Sequence, residues 1–96
     1  MDTEPQEIRH NAAQRRFETG TGASLAVLDY TIVDERTLDY RHTFVPPAAR
    51  GRGTASRLVR FALDHALEHD LIVVPSCPFV ATYIQGHPQY RRVLGD

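Results

Sequence analysis

The stretch VPPAARGRGTASRLVRFAL, Val45 to Leu63, decides how this chain folds. A strand-like run ends in Pro46-Pro47, which cannot continue a ladder. Gly51 and Gly53 follow, and the apolar period then changes from 2 to 3.6. Ala55, Leu58, Val59, Ala62, Leu63, Ala66 and Leu67 form one stripe of an amphipathic helix expected from about Gly53 to His69. Arg57, Arg60, Asp64 and Glu68 fall outside that stripe. Glycines are costly at a helix entrance unless the backbone must be bare. The exposed N–H groups at a helix start point outward, and the helix dipole favours negative charge there. Glycines let phosphate oxygens reach such N–H groups, and Arg50 and Arg52 can add charge-assisted hydrogen bonds. The turn is not a P-loop, because no Gly-Lys-Ser/Thr ending is present. Nor is it a dinucleotide fingerprint, since no acidic residue follows at the end of a second parallel strand. The plainer alternative is a glycine-assisted helix entry carrying surface arginines.

On the N-terminal side the chain reads as an antiparallel meander. Met1 to Pro5 is expected to be a flexible tail, and residues 6–96 a single domain. Glu7 to His10 is expected as a short edge strand, with Asn11 to Gln14 as its turn. Arg16 to Thr19 reads as a second strand, and Gly20-Thr21-Gly22 as a hairpin signal. SLAVLDYTIV, Ser24 to Val33, is rich in strand formers, with Ala26, Leu28, Tyr30 and Ile32 on one face. Leu38 to Val45 is the strand that the prolines stop. On the C-terminal side, Leu71 to Pro75 is a short apolar run suited to a strand covered on both faces in a parallel crossover. Pro78 suits the first turn of a second helix, which Gly86-His87-Pro88 ends. Arg91 and Arg92 read as a tail.

The bulk numbers bound the function. Ninety-six residues bury a modest core, marginal without a ligand or partner. The net charge of -1 gives no electrostatic footprint for nucleic acid or an anionic membrane. All eleven basic residues are arginine. The single cysteine, Cys77, allows no intrachain disulfide. With no apolar signal core and no run near the roughly 20 residues of a membrane span, a cytoplasmic location is the default expectation.

Arg50-x-x-Gly53-x-Ala55 resembles the pyrophosphate-binding signature of the GCN5-related N-acetyltransferases, Arg/Gln-x-x-Gly-x-Gly/Ala. HTFVPPAARGRGTASRLV and VPSCPFVATYIQGHPQY look like the two signature blocks of the small, compact acetyltransferase-like subfamily. The resemblance covers Glu7 to about Tyr90. One departure stands out: the subfamily usually has an acidic residue after His-Thr, where this chain has Phe44, so no carboxylate role carries over. The resemblance implies an α+β, reduced acetyltransferase fold. It would comprise about four antiparallel strands, a long helix after the glycine turn, a partly parallel fifth strand and a short C-terminal helix. It also implies acetyl-CoA as cosubstrate. The coenzyme would be held by Val45, Arg50, Gly51, Arg52, Gly53, Thr54, Ala55 and Ser56, with no metal. Its pantetheine arm would lie between strands splayed near Val45 and Pro75, and its thioester would point towards His42, Thr43 and Cys77. The paired helices and final strand pair of larger relatives are missing, so the acceptor pocket is minimal, open or completed by a partner.

Acetyl transfer to an amine needs a neutral amine, a donor for the oxyanion and a proton for the leaving thiolate. A backbone N–H near Phe44 or Val45 is a candidate donor, and His42 a candidate base. Tyr83 is a candidate proton source, by resemblance to a tyrosine of related enzymes. Cys77, just before Pro78 at a helix start, is a candidate nucleophile in a ping-pong route; the alternative is a small buried residue. His65 and His69 have metal-ligand spacing but no third ligand and read as a solvated face. His10 reads as surface, His87 as a helix cap, and Tyr30, Tyr40 and Tyr90 as packing residues with wet hydroxyls. The leading reading is an acetyl-CoA-dependent N-acetyltransferase acting on a small amine or exposed amino group. A homodimer is left open, and neither nucleic acid nor membrane is expected as a partner. A non-catalytic acyl-CoA-binding module and a plain interaction domain are the competing readings.

Overall fold

The structure is a computed structural model and describes residues 7–95. The tail expected over Met1 to Pro5 lies outside the described residues. Four strands run antiparallel in sequence order: β1 (Ile8–Asn11), β2 (Arg16–Thr19), β3 (Ala26–Asp34) and β4 (Thr37–Phe44). The chain then passes through a 3-10 turn (Pro47–Ala49) into α1 (Thr54–Glu68) and returns as β5 (Ile72–Val74), parallel to β4. A second helix, α2 (Pro78–Gly86), and a 3-10 segment (Pro88–Leu94) follow. The sheet order is β1-β2-β3-β4-β5, so the expected meander, crossover helix and parallel fifth strand are all present.

The core lies on one face of the sheet. Phe17, Ala26, Leu28, Tyr30, Leu38, Tyr40 and Val73 meet Leu58, Val59, Ala62, Leu63 and Ala66 from the α1 stripe. Tyr40 pins the layers together: its hydroxyl donates to the Ala62 carbonyl at 2.7 Å. Burial raises this phenol above its ordinary pKa.

Several expectations change. Ile32 was expected to share the Leu28 face, but it is 51% exposed. The face itself is kept, since Ile32 pairs with buried Leu38; what differs is the burial, at a position near the far end of β3. β5 is an edge strand covered on one face only: Val73 is buried, while Ile72 and Val74 stand exposed. Arg91 and Arg92 are not a tail. They belong to the Pro88–Leu94 segment, which buries Tyr90 and Val93 against α1, α2 and β5. The tyrosine hydroxyls are bonded rather than wet: Tyr90 donates to Asp64 at 2.7 Å, and Tyr30 pairs with His10 at 2.7 Å. His10 is not plain surface either; its ring stacks on Phe17 with centroids 4.6 Å apart. His65, expected on a solvated face, is half-buried and sits edge-on to His10 at 4.5 Å.

Candidate functional site

Two features create an opening at the C-terminal end of β4. The first is a splay. The β4–β5 ladder covers only Thr37–Asp39 against Ile72–Val74, and Pro75 follows. β4 runs on to Phe44 with no ladder partner in β5. The second is a bulge. Tyr30 pairs with Tyr40 and Asp29 with His42, which leaves Arg41 as an extra residue in β4. One extra residue exchanges the faces of everything beyond it. Thr43, paired with buried Leu28, therefore takes the core face, while His42 and Phe44 take the other.

The glycine turn stands beside this opening. Gly51 and Gly53 both have left-handed backbone, with φ of 81° and 71°. Gly53 is the N-cap of α1 and supplies no side-chain cap. Among the described residues, the backbone N–H groups from Gly51 to Ser56 make no hydrogen bond. A cavity of about 160 Å³ is lined by Val45, Arg50, Gly51, Gly53, Thr54, Ala55 and Ser56, together with Ala49. Of the residues expected to hold the coenzyme, only Arg52 is missing from this lining. Arg50 folds back so that its Nε–H donates to the Val45 carbonyl at 2.8 Å, tying the turn to the strand end.

The charge here is one-sided. The first turn of α1 contains no acidic residue. Among the described residues, Arg50, Arg52 and Arg57 have no carboxylate partner. Positive side chains at the positive end of a helix repel one another and the dipole until an anion arrives. The cavity thus suits a phosphate-bearing ligand on geometry and on charge.

The expected chemical groups do not converge. Cys77 is the N-cap residue of α2 and is buried; its N–H donates to the Tyr40 carbonyl at 2.9 Å. Its Sγ lies 3.6 Å from Thr43 Oγ1. His42 points away from that pair, on the far face, with Nδ1 3.9 Å from Asp29 Oδ2. Tyr83 lies about 9 Å along α2 from Cys77 and about 120° round it. Its ring stacks flat on His87 at 3.9 Å. His87 caps the helix as expected, its Nδ1 lying 2.8 Å from the Tyr83 carbonyl. The sequence reading missed two residues of the turn: Ala49, which lines the cavity, and Arg57, which binds the turn from the helix. Arg57 lay off the apolar stripe, and nothing in its spacing marked it.

A four-stranded meander, a crossover helix behind a bare glycine turn and a parallel strand that parts from β4 define a compact acetyltransferase-type fold. The chain belongs to the GCN5-related N-acetyltransferase family, whose profile matches residues 16–93. Protein NATD1 of Gallus gallus is 36% identical over 94 residues, covering 94% of this chain and 86% of that protein. Protein NATD1 of Homo sapiens is likewise 36% identical, covering 94% and 83%. The NMR structure of a GCN5-like protein from Staphylococcus aureus superposes with a TM-score of 0.73 at 27% identity, covering 92% of this chain and 86% of that one.

Proposed function

We propose that this protein binds acetyl-CoA at the α1 turn and transfers the acetyl group to an amine. The observation that carries the reading is the row of N–H groups from Gly51 to Ser56, without acceptors among the described residues, around a cavity flanked by uncompensated arginines. Oriented N–H groups at a helix start are a ready anion site, and a pyrophosphate would supply the missing acceptors and the missing negative charge. The unpaired edge of β4 from Arg41 to Phe44 offers main-chain groups to the pantetheine arm, as to an added strand. The arm would then lead the thioester towards Thr43 and Cys77. In direct transfer the amine nitrogen attacks the thioester carbonyl, the C–S bond breaks, and the departing thiolate takes up the proton that the amine loses. His42, exposed on the far face beside Asp29, is the base available to an amine arriving from that side.

A second reading, an acyl-CoA-binding module without turnover, is favoured by the dispersal of His42, Cys77 and Tyr83. It predicts coenzyme binding but no amine-dependent release of thiol.

Thermal unfolding with and without CoA, for the native chain and for Gly53→Glu, tests the binding. A ligand at about 100 times its dissociation constant adds roughly 2.7 kcal/mol, several degrees for a domain of this size. Glutamate at a φ of 71° lowers the melting temperature by itself, so the comparison is the ligand-induced shift in each protein. The native chain is expected to shift and the variant not to. A native chain indifferent to CoA overturns the proposal.

A further inference from the structure

We infer that Arg57 is a positioning residue for this cradle: it braces the glycine turn from behind so that the N–H row faces the ligand. The inference rests on the coenzyme-binding reading. Arg57 lies one turn into α1 and does not line the cavity. Its Nη1 donates to the Arg52 carbonyl at 2.6 Å, and its Nη2 donates to Thr54 Oγ1 at 3.4 Å. Thr54 is buried and passes the connection on, its hydroxyl donating to the Ala49 carbonyl at 3.3 Å. One guanidinium thus reaches carbonyls on both sides of Gly51, directly at Arg52 and through Thr54 at Ala49.

The consequence for the ligand is geometric. A peptide unit is planar, with its C=O and N–H pointing in opposite directions. Holding the Arg52 carbonyl towards Arg57 therefore turns the Gly53 N–H away from it. Gly53 serves this arrangement through its left-handed backbone, with φ of 71°, and not through space, since a Cβ built there would meet Arg57 Nη1 at an ordinary 3.8 Å. The brace is also held at a cost. The Nε–H of Arg57 is buried and has no acceptor among the described residues. A cation near the positive end of a helix is unfavourable until an anion binds. A buried donor left unpaired calls for a reason, and fixing the turn supplies one.

The test is a CoA titration followed on the backbone amide resonances of the native chain, Arg57→Met and Arg57→Lys. Backbone relaxation of each ligand-free protein is measured alongside. S-acetylpantetheine, which lacks the pyrophosphate, is the second probe. In Arg57→Met the CoA dissociation constant is expected to rise about tenfold, with S-acetylpantetheine binding unchanged. Arg57→Lys keeps the charge but cannot reach both acceptors, and it is expected to fall between the two; it carries the comparison if the methionine variant does not fold. Arg57→Met binding CoA as tightly as the native chain overturns the inference, as does an equal loss for both probes. If the native chain binds no CoA, the functional reading fails, and relaxation then decides on the brace alone. Turn amides from Gly51 to Ser56 that become mobile only in the variant sustain it; amides as rigid as the native ones overturn it.

Discussion

Cys77 and Thr43 are the reactive side chains that the fold brings nearest to the parting of β4 and β5, with Sγ and Oγ1 3.6 Å apart. Cys77 is buried, with only 5% of the residue exposed, at the N-cap of α2. Substitution separates chemistry from packing, because the proposed phosphate cradle lies on other residues. Cys77→Ala removes one buried sulfur and is expected to cost about 1 kcal/mol of stability. It should retain the thermal shift with CoA. If Cys77 carries the acetyl group, amine-dependent thiol release should disappear in the variant. The intact mass of the native chain after acetyl-CoA alone should also gain one acetyl group, and an unmodified thiol in an active protein excludes that route.

At the level of elements, the connections separate what could be read from what could not. The long helix was legible because seven apolar residues keep one stripe from Ala55 to Leu67 and glycine opens it. The glycine turn was legible for the same reason, since a helix start has a local signature. The bulge at Arg41 was not: it depends on which residue of β3 faces which residue of β4, and no local pattern carries that pairing. This one residue sends His42 and Cys77 to different faces, so the glycine turn was foreseen while the proximity expected of His42, Cys77 and Tyr83 was not met. The Pro88–Leu94 segment was missed because Tyr90 and Val93 are too few to display a period. Glycines show the same divide between local and tertiary causes. Gly20, between β2 and β3, has φ of 84°, and a Cβ there would meet the Ser24 carbonyl oxygen at 2.5 Å. Gly86 has ordinary backbone and open space around its would-be Cβ. Urea unfolding should therefore move in opposite directions for the same change. Gly20→Ala is expected to lose about 2 kcal/mol or more, and Gly86→Ala to gain up to about 1 kcal/mol.

At the level of the whole molecule, a 96-residue chain with helices on one face of its sheet has little stability to spare, and its titrating groups bound the pH range it tolerates. β1 is held to the core through His10, whose ring packs among Phe17, Tyr30 and His65, with His69 tilted beyond at 4.2 Å from His65. Burial first, and then the neighbouring His10 and His69, lower the His65 pKa from an ordinary 6.5 to about 4. His10 is lowered in the same direction, first by burial and then by His69. A base with a depressed folded pKa binds fewer protons folded than unfolded. Its contribution is therefore complete above pH 6.5 and is lost as pH falls from 6.5 towards 4. The ring is half-exposed, so solvent screening holds the loss to about 1 kcal/mol. Tyr90 contributes to the alkaline limb: burial and its hydrogen bond to Asp64 push its pKa up to about 12, and burial raises Tyr40 and Tyr30 as well. The folded state then holds a proton that the unfolded chain releases near pH 10, and stability falls as pH rises from there towards 12. The melting temperature is expected to be flat between about pH 7 and 9 and to drop on both sides. His65→Gln should weaken the acid limb alone, leaving the share of His10, and Tyr90→Phe should weaken the alkaline limb alone, leaving the share of Tyr40 and Tyr30. An acid limb that survives His65→Gln unchanged would place its origin in other groups, with His10 first and then Glu18 with its partner Arg16 the next to test.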